Sequence, residues 1–135
     1  MQNCVFCKIV KGEIPSKKIY ENDHTLCFMD IANDVDFHLV VIPKKHVKNI
    51  LDCDSETLNH VFETVKTVSN YLTEKCGFNG VNLLNASDES AGQSVNHFHI
   101  HIIPRKNGDG LNTWPNLPGA KNSLEQNFKI LMQNK

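Results

Sequence analysis

Residues 97–101 read His-Phe-His-Ile-His and continue into Ile102-Ile103. A β-strand sends successive side chains to opposite faces, so this pattern puts His97, His99 and His101 on one face and Phe98, Ile100 and Ile102 on the other, in a core. Three imidazoles along one face suit metal binding, or nucleophilic and acid/base chemistry near neutral pH. Packing alone has little use for them, because each buried imidazole needs hydrogen-bond partners. The competing reading is a solvated polar face on a half-buried strand. Such faces usually mix residue types, and this one does not.

The rest of the chain bounds the setting. Its 135 residues suffice for one domain with a real core, and 1–135 is read as that single domain. A net charge of −1, with both signs interspersed, offers no basic stripe for nucleic acid and no polybasic tract for a membrane surface. No apolar run is long enough to cross a bilayer. The N-terminal Met-Gln-Asn-Cys-Val-Phe-Cys-Lys lacks the layout of a signal peptide. Cys4, Cys7, Cys27, Cys53 and Cys76 are odd in number and scattered. That argues against a disulfide framework and for a reducing cytoplasm.

Hydrophobic periodicity predicts an α+β arrangement. Val5, Phe6, Ile9 and Val10 have helical spacing over a short N-terminal piece. Residues 18–21 and 25–29 flank the turn pair Asn22-Asp23 and read as a hairpin. Residues 37–42 form a third apolar strand closed by Pro43. The clearest helix runs from about Ser55 to Cys76, with Leu58, Val61, Phe62, Val65, Val68 and Leu72 as its apolar stripe. Asp54 or Ser55 can cap its start and Gly77 can end it. Residues 81–85 and 96–103 add two strands, Pro104 stopping the last. A tail follows over 106–135, with a weak helix at 123–133. The expected whole is a five-stranded, mainly antiparallel sheet with one long helix.

Other residues could carry chemistry. Ala91-Gly92-Gln93-Ser94 stands at the mouth of the histidine strand, where a glycine, backbone amides and a hydroxyl could cradle a phosphate; an ordinary turn would read the same. Cys4-x-x-Cys7 is half of a tetrahedral zinc site, with His46 and His97 as candidate partners, or else two small apolar residues in a core. His38 alternates with Val40 and Ile42 and could face the site. Asp30 could bind ribose hydroxyls or cap the turn at 30–33. Lys44-Lys45 could steer an anion, and His24 and His60 read as solvated bystanders.

The run Gly92-Gln93-Ser94-Val95-Asn96-His97-Phe98-His99-Ile100-His101-Ile102-Ile103 resembles the signature of the histidine-triad (HIT) family, in which three histidines alternate with apolar residues. Phe6 through Pro15, the Asp30 turn, residues 38–46 and Leu84-Asn85 resemble further blocks of that family in the same order, so the likeness covers roughly 4–105. The branch it resembles most is the Hint-like group, small bacterial members included.

The resemblance implies an α+β, HIT-like fold with a five-stranded sheet that pairs into a homodimer. It implies a purine nucleotide as substrate and hydrolysis or transfer at the α-phosphate of nucleoside phosphoramidates. His99 matches the nucleophile and would form a nucleotidyl-imidazole; its Nε2 must then be unprotonated and its Nδ1–H held, as by a backbone carbonyl. His101 and His38 match residues that stabilise phosphate oxygens and assist the leaving group. Ser94 matches a hydroxyl on the leaving group, Asp30 a ribose-binding acid, and Asn85, Gly92 and Gln93 nucleotide contacts. The similarity also implies structural zinc between Cys4, Cys7, His46 and His97. Asn96 departs from the pattern on the outward face. Thr113-Trp114-Pro115 is similar to a C-terminal element whose tryptophan reaches the neighbouring subunit's site, but stands farther from the triad here. A dinucleoside-polyphosphate hydrolase and a nucleotide-binding regulatory module with incidental turnover are the alternatives.

Overall fold

The computed structural model describes residues 3–135; the first two residues of the N-terminal segment read above for a leader lie outside it. Its strands are β1 (Lys18–Glu21), β2 (Thr25–Met29), β3 (Leu39–Pro43), β4 (Gly80–Leu84) and β5 (Ile100–Arg105). They form one sheet in the order β1-β2-β3-β5-β4, every pair antiparallel. Helices α1 (Val5–Val10), α2 (Ser55–Lys75) and α3 (Leu124–Gln133) complete it, with a short 3₁₀ turn at Glu89–Ala91.

The two faces of the sheet have different covers. Helix α2 lays Val61, Val65, Val68 and Leu72 on Cys27, Leu39, Val41, Phe98, Ile100 and Ile102. Each Val or Leu buried there contributes about 1.5–3 kcal/mol. The opposite face carries Leu26, Phe28, Val40 and Ile42 under α1, through Ile9, Phe6 and Val10. Val40 pairs with His101 across β3 and β5, so His101 shares the α1 face while Ile100 and Ile102 face α2.

Helix α2 begins where expected. Asp54 caps it by accepting from the Thr57 N–H, and Gly77, at φ +81°, takes the left-handed conformation that ends it. Its buried stripe differs by one register: Phe62 is 42 % exposed, while Thr57 and Thr64 are buried. Thr64 is tolerated there because its hydroxyl meets that of Thr25 at 2.6 Å. Asn22 builds the β1–β2 turn by accepting from the backbone N–H groups of His24 and Thr25.

Strand limits move; β4 shifts by one residue at each end and β3 takes in Pro43. β3 begins at Leu39 rather than residue 37, because Phe37 sits at φ +65°, outside extended space, with its ring against Phe78. β5 begins at Ile100 rather than 96, so His97 and His99 precede the strand although the alternation of faces already holds. It then runs through Pro104 to Arg105. The β3–β5 ladder ends at Leu39–Ile102, so β5 has only one neighbour there and a residue without an N–H is accommodated. The tail helix forms with a full capping box at Ser123 and Gln126, and it buries none of its residues.

Candidate active site and metal cluster

On the α1 side of the sheet the histidines fall into two groups. In the first, Cys4, Cys7, His46 and His97 bring one ligand atom each within 4.8 Å of one another. Cys4 Sγ lies 3.3 Å from His97 Nδ1, and Cys7 Sγ lies 3.3 Å from His46 Nδ1 and 3.5 Å from His97 Nδ1. Tetrahedral zinc with ordinary Zn–S and Zn–N bonds would have ligand–ligand edges of roughly 3.3–3.8 Å, so the donor set fits such an ion. Local structure explains the convergence. Cys4 is the N-cap of α1, which brings its sulfur to the Cys7 N–H at 3.3 Å. His97 is wholly buried and donates Nε2–H to the Pro43 carbonyl at 2.8 Å, so its Nδ1 lone pair faces the sulfurs. Burial holds His97 down to about 4, neutral as a ligand must be. Burial, and next the Cys4 thiol beside it, pushes Cys7 up to about 11.

The Phe6 ring packs edge-on against both His97 at 5.8 Å and His99 at 5.2 Å. The Nδ1 of His99 is 2.7 Å from the His97 carbonyl oxygen. A carbonyl can only accept, so Nδ1 carries the proton and Nε2 of the neutral ring presents a lone pair. Asn85 donates from Nδ2 to the carbonyl of His99 at 2.9 Å, tying β4 to the same residue. Asn85 thus meets the backbone of His99.

The second group is Asp30, His38 and His101, with donor atoms also within 4.8 Å of one another. His38 Nε2 and His101 Nδ1 are 2.8 Å apart, and Asp30 Oδ2 lies 3.5 Å from each. His38 Nδ1 donates to Asp34 Oδ1 at 2.9 Å. The rings of His99 and His101 stand 4.9 Å apart. Burial first, and then His99 and His38, hold His101 down to about 4. Asp34 is held below the usual carboxylate range chiefly by its bond to His38.

The loop before the triad is organised differently from the sequence expectation. Gln93 Nε2 donates to the carbonyls of Lys48 and Val95, and its Oε1 accepts from Asp88 N–H and Asn49 Nδ2. All four valences of the side chain are used inside the protein, so it clamps the loop and has none left for a nucleotide. The N–H groups of Gly92 and Gln93 are bonded to the carbonyls of Glu89 and Asp88. In the loop expected to cradle a phosphate, the hydroxyl and N–H of Ser94 take no partner among the described residues. Ser94 lines an open groove of about 500 Å³ with Cys4, Val5, His46, Val95 and Asn96.

The remaining residues singled out by the sequence belong to neither histidine group. Lys44 and Lys45 are engaged with Glu21 and Asp54 at 2.8 and 3.0 Å. His24 and His60 stack on each other at 3.7 Å between centroids. Trp114 is 71 % exposed. Asp34 was missed; an acid four residues before His38 was the available signal, but turn geometry decides whether such a pair meets.

A family model described as the HIT domain matches residues 11–108. The protein hit of Bacillus subtilis is 44 % identical over 82 % of this chain and 77 % of its own length. The adenosine 5'-monophosphoramidase hnt1 of Schizosaccharomyces pombe is 39 % identical, covering 86 % of each. The crystal structure of a zinc-bound histidine triad family protein from Mycobacterium smegmatis superposes with a TM-score of 0.78 at 33 % identity, over 87 % of this chain and 85 % of that one.

Proposed function

This chain belongs to the HIT family, and on that premise we propose that it is a nucleotide hydrolase that acts at the α-phosphate of purine nucleoside phosphoramidates through a nucleotidyl-His99 intermediate. The observation that carries the reading is the 2.7 Å bond from His99 Nδ1 to the His97 carbonyl. It fixes the one tautomer whose Nε2 can attack phosphorus at neutral pH without first losing a proton. In the first step the Nε2–P bond forms and the P–N bond of the substrate breaks, the departing amine taking a proton. In the second, water attacks phosphorus, the Nε2–P bond breaks and the water's proton returns to the protein. His101, a ring away, is the group through which the proton passes, and His38 backs it. Ser94 supplies a hydroxyl toward the leaving group, and Asp30 a carboxylate for the ribose. Gly92, Gln93 and Asn85 serve by shaping the loop and the strand end.

Relatives named as adenosine 5'-monophosphoramidases and an adenylylsulfatase support hydrolysis at an adenylyl phosphorus. The Cys4, Cys7, His46 and His97 set would hold structural zinc, since four protein ligands close a tetrahedral ion. Zinc there would pin the segment that leads into His99. No helix among the described residues is long and apolar enough to cross a membrane, and the odd, scattered cysteines suit a cytoplasmic setting. Strand β4 ends the sheet with Leu83 exposed, and we read that edge as the one a second copy would extend into a ten-stranded homodimer.

The test is release of AMP from adenosine 5'-phosphoramidate by wild type and His99→Ala. Turnover abolished in the variant with AMP still bound is expected; near-normal turnover would refute the nucleophile. Cleavage of diadenosine tetraphosphate alone would move the assignment to the polyphosphate reaction, and AMP binding without turnover to a binding module.

A further inference from the structure

His38 is 7 % exposed, and both of its ring nitrogens are engaged. Nε2 meets His101 Nδ1 at 2.8 Å with Asp30 Oδ2 at 3.5 Å, and Nδ1 meets Asp34 Oδ1 at 2.9 Å. The charged or titratable groups facing this ring are therefore Asp34 from the turn before β3, Asp30 from the end of β2, and His101 from β5, with His99 beyond it. The turn is a strained one. Phe37 is held at φ +65° by a ring packed on Phe78, and that conformation swings His38 back over Asp34, four residues earlier.

We propose that Asp34 is a positioning residue for proton transfer: it holds a proton on His38 Nδ1 and so confines all proton movement to the His38 Nε2–His101 end. This rests on the hydrolase reading for its catalytic consequence, though not for its structural one. A carboxylate only accepts, so Nδ1 of His38 must donate to it. Two states of the pair remain. In the loaded state His38 carries both protons, its Nε2–H donates to His101 Nδ1, and His101 keeps a proton on Nε2. In the unloaded state His101 Nδ1–H donates to His38 Nε2, and His101 Nε2 is a bare lone pair. The two differ by one proton at His101 Nε2, while the positive charge of the loaded state rests on His38 between Asp34 and Asp30. The low basicity of His101 is consistent with charge placed on its neighbour. In the first chemical step the loaded pair gives its proton to the departing amine as the P–N bond breaks. In the second it regains one from the water that cleaves the bond from phosphorus to His99 Nε2.

Without Asp34, either nitrogen of neutral His38 can hold the proton, and the loaded state loses a counter-charge. The carboxylate of Asp34 is the closest opposite charge to the ring, 2.9 Å from Nδ1. Removing it lowers the pH at which the loaded state is lost.

The experiment is ¹⁵N–¹H NMR of the imidazole rings in ¹⁵N-histidine-labelled wild type, Asp34→Asn and Asp34→Ala, alongside the pH profile of AMP release. Wild type is expected to show His38 protonated at Nδ1. Asp34→Asn, whose amide can donate, should move the neutral proton toward Nε2. The alkaline limb of kcat should move to lower pH in Asp34→Ala, with kcat reduced and KM little changed, and Asp34→Glu should recover part of both. A purely structural role would lower Tm and leave tautomer and pH limb in place, and that result overturns the proposal. If wild type itself turns nothing over, the hydrolase reading fails and the His38 spectrum alone decides the role of Asp34.

Discussion

Loss of zinc from the Cys4, Cys7, His46 and His97 cluster is expected to follow the square of the proton concentration. Zinc binds thiolates, and Cys7, pushed to about 11 by burial and by Cys4, carries its proton at neutral pH. Each thiolate ligand forms from a thiol by loss of one proton, and the set has two cysteines. His97, held at about 4, releases none. Binding thus expels two protons, and affinity should fall about a hundredfold for each pH unit lost, or about 2.7 kcal/mol. The sign follows from the direction of the Cys7 shift. The thiol is protonated in the metal-free fold and ionised in the loaded one, so the metal's stabilisation is present at high pH and disappears as pH falls. At fixed free zinc the same 2.7 kcal/mol appears in the unfolding free energy while the site is near saturation. Competition with a chromophoric chelator between pH 6.5 and 8, with the released protons counted, measures the slope directly. A slope of two in wild type and one in Cys7→Ser is expected. A slope well below one, or a chain that takes up no zinc, would refute the assignment of two thiolate ligands.

Other consequences are testable together. Gln93→Ala removes four hydrogen bonds and strands the amide of Asn49, itself buried, so a loss of about 1–3 kcal/mol is expected by denaturant titration. If the residue bound nucleotide directly, AMP affinity would collapse with little change in stability. Sedimentation equilibrium should give twice the 15.3 kDa of one chain, and Leu83→Lys at the exposed edge should shift it toward the single-chain mass. A wild-type mass of one chain would remove the extended-sheet reading.

The alternation at residues 97–103 carried most of the fold, because a period of two has one solution when Phe98, Ile100 and Ile102 must all enter a core. The α2 cap and its glycine stop were legible for the same reason, local chemistry with one outcome. What was not legible depends on geometry set from elsewhere. Nothing in the sequence marks Phe37 as left-handed, yet that one residue shortens β3 and folds Asp34 onto His38. Gln93 entered as a nucleotide contact through the resemblance of the Gly92–Ser94 loop, which says nothing of where its side-chain amide goes. Only the positions of Lys48, Asn49 and Asp88 show that the amide is fully spoken for. Phe62 fits a helical stripe by number but falls at its rim, where Thr64 takes the buried place by bonding to Thr25.

His97 joins the two halves of the site. Its ring serves the cysteine cluster and its carbonyl holds the proton of His99, so one residue sets both. Nε2 on the Pro43 carbonyl fixes the plane of the ring, and the backbone N–H of Phe98 on the Val47 carbonyl at 2.8 Å fixes the peptide that follows. The direction of the His97 carbonyl is therefore determined from both sides before any substrate arrives. A metal drawing Nδ1 toward the sulfurs would tighten the first restraint and leave the second unchanged. On this geometry a zinc ion held there would act on the proposed catalysis by narrowing the orientations of the His99 ring, with no contact between the ion and the reacting phosphate. The placement of Phe6 agrees: its ring packs on both imidazoles, so a loosened cluster would be felt at His99 through packing as well as through the hydrogen bond.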